Sequence, residues 1–155
     1  MLKRLLFFVF VMLLFSGCSK VISNSSEGDI SFELKEFFTK NEPHIWIRGE
    51  TDEIIESPLM QASPFIELKT SRNDKIIRLE FGKVISPSCF DNCVSKSHAN
   101  FYTDINSDEG IYTLELIREG KVDKYELKIE KDKVTITPLE VSFTKVTKPE
   151  IDRIP

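Results

Sequence analysis

Between residues 30 and 143 the chain is written largely in period two, and no other feature restricts its fold as much. Ile30, Phe32 and Leu34 alternate with Ser31, Glu33 and Lys35, and Ile45 and Ile47 alternate with His44, Trp46 and Arg48. Successive side chains of a strand point to opposite faces, so each run reads as a half-buried β-strand. Residues 65–69 and 76–81 are apolar-rich and flank Ser71-Arg72-Asn73-Asp74, a turn composition that predicts a hairpin. Residues 51–64 hold two prolines and no steady period, which predicts a long connection with a short strand at 53–55. Residues 82–98 read as a long irregular stretch. Further strands are predicted at 99–104, 111–118, 122–129, 134–137 and 139–143, separated by turns such as Glu119-Gly120-Lys121 and Glu130-Lys131-Asp132. No amphipathic helix is legible. The expected fold is therefore all-β, an antiparallel β-sandwich over residues 30–147 with a C-terminal tail at 148–155.

The N-terminus is of another kind. Lys3 and Arg4 precede an unbroken apolar run from Leu5 to Phe15, followed by Ser16, Gly17 and Cys18. Eleven apolar residues at 1.5 Å each reach about half of a ~30 Å hydrocarbon core, too short for a permanent span and suited to a cleaved export signal. Leu14-Phe15-Ser16-Gly17-Cys18 resembles the lipobox of bacterial lipoproteins, with Phe15 standing where that family most often has Leu. The resemblance implies removal of residues 1–17, acylation of Cys18 and a mature chain held on a membrane outside the cytoplasm. Two or more acyl chains, at ~0.8 kcal/mol per buried methylene, make such an anchor effectively permanent. Ser19 resembles the outer-membrane sorting class, so in a two-membrane bacterium the expected place is the outer membrane, facing the periplasm. Residues 18–29 are short-chained and polar after the lipidated Cys, and read as a flexible tether.

Charge and cysteine content narrow the chemistry. Removing Lys3 and Arg4 from 21 basic residues leaves 19 against 25 acidic ones, a net of −6 for the mature chain. That balance argues against nucleic acid as a partner and against electrostatic docking on anionic lipid. With Cys18 taken by lipid, Cys89 and Cys93 remain as a pair in an oxidising compartment, where a disulfide shaping the 82–98 loop is expected. So small a ring contributes only about 2 kcal/mol. The other reading is an envelope metal-binding or thiol-redox site using Cys89, Cys93 and His98, since thiolate and imidazole suit copper or zinc. Three ligands leave such a site incomplete, and the C-x-x-C spacing of catalytic disulfides is absent.

Asp108-Glu109-Gly110-Ile111-Tyr112-Thr113-Leu114 resembles the tyrosine corner of immunoglobulin-like domains, with Leu114 where their inter-sheet Cys stands. The resemblance implies that Tyr112 hydrogen-bonds back to the turn before it. Nucleophile elbows, phosphate-cradling glycine loops and H-E-x-x-H motifs are all missing from the sequence, so neither an enzyme nor a cofactor is expected. His44, Trp46 and Arg48 share one side of a strand opposite Ile45 and Ile47, which points them outward as a candidate binding surface, with His98 as a further candidate. The expected role is binding or scaffolding at the envelope. Its partner would be another envelope protein, a glycan or a small ligand.

Overall fold

The computed structural model describes residues 22–24, 29–39, 42–57, 63–86, 95–105 and 108–153. In chain order the strands are Ile22–Asn24 (β1), Ile30–Thr39 (β2), Glu42–Ser57 (β3), Phe65–Asn73 (β4), Ile76–Ser86 (β5) and Ser95–Asp104 (β6). Then follow Gly110–Arg118 (β7), Lys121–Ile129 (β8), Lys133–Glu140 (β9), Thr144–Lys148 (β10) and Glu150–Asp152 (β11). The fold is all-β, as the alternation predicts.

The described strands form one sheet in the order β10-β2-β3-β6-β4-β5-β7-β8-β9-β11, with β1 added beside β5. Two separate antiparallel sheets are not what the ladders lay out. The sheet is mixed, because β10 lies parallel to β2, β4 to β6 and β5 to β7. It is also nearly closed into a barrel. Closure comes from one bent stretch of chain: β10 pairs with β2 at one edge of the sheet, and β11, one residue later, pairs with β9 at the other. Only Pro149 lies between them, and its carbonyl accepts the Ile136 amide at 2.7 Å.

The inward phase of each strand supplies the core. Ile30, Phe32 and Leu34 on β2, Ile45 and Ile47 on β3, and Leu114 and Leu116 on β7 are almost wholly buried. Each such side chain contributes about 1.5–3 kcal/mol relative to exposure. Phe32 meets Tyr125 edge to face at 5.2 Å, and Phe81 meets Phe101 at 4.9 Å. At Gly49 the strands come so close that an added Cβ would lie 2.4 Å from the Phe101 ring and 2.6 Å from the Ser31 carbonyl oxygen. The β7–β8 hairpin turns on Glu119 and Gly120, both at positive φ (50° and 80°), the two-residue form that matches strand twist.

Several elements are longer than the sequence pattern predicts. Residues 51–57 continue β3 rather than leaving it, β4 runs on through Asn73, and β5 and β6 extend into the expected irregular stretch as far as Ser86 and back to Ser95. Strand β3 bulges between Glu50 and Ile54, which breaks the period there. Leu139 and Glu140 complete β9, whereas 141–143 form the connection to β10. Strand β11 falls in the expected tail, and β1 in the expected tether.

Candidate functional site

The neighbouring strands β2, β3 and β6 present their outward residues in register. Lys35 lies opposite Trp46 and Glu33 opposite Arg48 across the β2–β3 ladder, while Trp46 faces Asp104 and Arg48 faces Tyr102 across the β3–β6 ladder. Aromatic rings meet on the diagonals of this grid. Trp46 stacks on Tyr102 with centroids 5.4 Å apart and planes 13° from parallel, and Phe37 tilts against its other side at 5.3 Å. Phe37 remains 47% exposed and Tyr102 68%. Three rings on three strands thus form an outward aromatic ridge.

Polar groups frame it. His44 and Asp104 join at 2.8 Å between Nδ1 and Oδ2, and Lys35 pairs with Glu33 at 3.0 Å. Arg48 is exposed and helps line a shallow cavity of about 220 Å³ with Ser31, Glu33, Glu50 and Thr147. The Trp46 indole N–H is buried with no acceptor among the described residues. Leaving a donor in that state costs about 1–3 kcal/mol.

His44, Trp46 and Arg48 are therefore brought together on one outward face. His98 is elsewhere, four residues along β6 from Tyr102, a separation of about 13 Å. Its Nδ1–H donates to the Thr51 carbonyl at 2.6 Å, while the Thr51 hydroxyl donates to the Glu53 carbonyl and accepts the Ala99 amide. His98 thus braces the β3 bulge. Cys18, Cys89 and Cys93 lie outside the described residues, and among those residues no group of three or more His, Cys, Asp or Glu is placed to hold a metal.

Phe37, Tyr102 and Asp104 are members of the surface that the strand pattern did not single out. A signal existed: Asn100, Tyr102 and Asp104 alternate with Ala99, Phe101 and Thr103, which fixes Tyr102 outward. Which strand lies beside Trp46 is a matter of topology, and period alone does not carry it. Comparison with family models, curated proteins and solved structures finds no match for the chain.

Proposed function

We propose that the chain is a cell-envelope lipoprotein, acylated at Cys18, whose barrel is a non-catalytic binding module. Its partner rests on the Phe37, Trp46 and Tyr102 ridge. The observation that carries this reading is the stacked Trp46–Tyr102 pair: a rigid aromatic platform, left exposed on Tyr102 and flanked by the His44–Asp104 pair and Arg48. Trp, Tyr and Arg are the residues that most often dominate recognition surfaces, because they offer large contact area with few rotors to immobilise. A solvated face has no need of such a ridge. In a two-membrane bacterium the module faces the periplasm from the outer membrane.

Co-purification from crosslinked native membranes tests the role. The wild-type chain is expected to bring down one partner reproducibly, and Tyr102→Ala to lose it while its thermal unfolding is unchanged. Equal recovery by both chains would remove the ridge from the function.

A further inference from the structure

The strand register extends the aromatic ridge by one more ring. Phe37 pairs with His44, two residues before Trp46; Trp46 pairs with Asp104, two residues from Tyr102; and Phe65 pairs with Asn100, two residues beyond Tyr102. Each step therefore goes one strand over and two residues along in the same sense, from β2 across β3 and β6 to β4. Phe65 is 46% exposed on β4 and completes a row of four outward aromatic side chains. At about 4.8 Å per strand and about 3.3 Å per residue, the row is roughly 25 Å long.

The polar groups beside the row are of mixed kind. The carboxylates of Glu33, Glu50 and Asp104 are interleaved with Lys35, Arg48 and the His44 imidazole, and Lys35 and His44 are already joined to Glu33 and Asp104. A ligand with fixed charge of one sign would meet repulsion at alternate positions. At the Tyr102 step, the cavity of about 220 Å³ places Glu33, Arg48 and Glu50 within reach of the rings. Carboxylates only accept hydrogen bonds and a guanidinium only donates them, so a ligand lying there must both donate and accept at short intervals.

From this arrangement we infer that the row binds an uncharged, unbranched glycan. The inference rests on the ridge being the binding face and names what that face holds. A pyranose ring lays an apolar C–H face on an aromatic ring, whose own face is the negative end of its quadrupole, while its hydroxyls donate and accept around the edge. A proline-rich segment also suits aromatic grooves, but it brings carbonyl acceptors and no amide donor at its prolines, which would set it against the three carboxylates. Strands β2 and β3 are paired on both sides, so the face there is read by side chains and not by adding a strand.

The single tryptophan of the chain stands inside the row and reports on it. The full chain, held in detergent, is titrated with cellohexaose, chitohexaose and maltohexaose, with hexagalacturonate as the anionic probe and decaproline as the peptide probe. Trp46 emission is expected to change saturably with at least one neutral hexasaccharide, and the matching monosaccharide to bind far more weakly. Phe65→Ala, which leaves Trp46 and its stacking partner in place, is expected to weaken binding roughly three- to tenfold, the worth of one aromatic contact, and Phe65→Tyr to retain it. Saturation by hexagalacturonate or decaproline alone, abolished by Tyr102→Ala, would overturn the glycan and leave the ridge as the binding face. No response to any neutral hexasaccharide at millimolar concentration overturns it as well, and a crosslinked partner recovered by the wild-type chain but not by Tyr102→Ala would then still uphold the ridge. Glycan binding undiminished in both Tyr102→Ala and Phe65→Ala removes the ridge and the inference together.

Discussion

Asp123 is fully buried near the start of β8, and its carboxylate accepts five hydrogen bonds from three consecutive residues. The amides of Ser142, Phe143 and Thr144 donate at 2.8–3.0 Å, and the hydroxyls of Ser142 and Thr144 at 2.7 and 2.6 Å. These residues carry the chain from β9 across to β10, so one side chain clasps the closing strap. Burial is the largest single influence on this carboxyl and would raise its pKa, but the bonds from Thr144, Phe143 and Ser142 together hold it below its ordinary value. A carboxylate depressed in the fold stabilises above its unfolded pKa, and the benefit is lost as pH falls through the folded value. Stability is therefore expected to fall as pH drops below about 4, and Asp123→Ala, which strands the buried amides of Phe143 and Thr144, should cost at least about 2 kcal/mol at neutral pH. Urea unfolding across pH 2–7 (roughly) reads both effects: the variant should lose part of the acid dependence along with the stability. Asp123 was legible as an inward residue, since Asp123, Tyr125, Leu127 and Ile129 share one phase. Its partners were not, because they lie nineteen to twenty-one residues on and meet it only through barrel closure.

At the scale of elements, alternation identified strands well where both faces keep their character, as in β7 and β8, whose inward residues are buried in strict order through Arg118 and Ile129. It failed where a bulge resets the phase. Strand β3 slips between Glu50 and Ile54, where Thr51 and His98 use side chains to satisfy backbone groups that the ladder leaves unpaired. The hydrogen bond that the 108–114 resemblance implies is present: the Tyr112 hydroxyl donates to the Asp108 carbonyl at 2.9 Å, with Lys75 Nζ 4.4 Å from the ring centroid. Element contact also explains Gly49, where β2 and the Phe101 ring of β6 leave no room for a methyl group. Gly49→Ala should destabilise by about 1–3 kcal/mol, the usual cost of overpacking, and a shift in the urea midpoint at constant slope would measure it.

The molecule as a whole depends on a closure that no local pattern announces. Strands β10 and β11 are short and separated by a proline; the sequence pattern marks no strand at 144–148 and reads 148–155 as a tail. Nevertheless they join the two edges of the sheet, and Arg153 adds an ion pair to Glu36 on β2 at 3.5 Å and a bond to the Glu130 carbonyl at 3.0 Å. Deleting residues 149–155 should leave β9 as a free sheet edge, expose Val134 and Ile136, and produce dye-binding hydrophobic surface together with a lower, broader thermal transition. An unchanged transition would show that β11 is dispensable. Closure also settles which strands neighbour each other, and so which outward residues form one face. That is why His44, Trp46 and Arg48 were visible beforehand as a set, whereas Phe37 and Tyr102 joined them only once β2 and β6 were placed on either side of β3.

The binding role of the ridge is tested most directly by a photo-crosslinking amino acid placed at position 102 and, as a control, at Glu126 on the outward face of β8, in the acylated chain in its native membrane. One reproducible adduct from position 102 and none from position 126 is the expected result. Adducts of equal yield from both positions, or none from position 102, would contradict a binding role for this face.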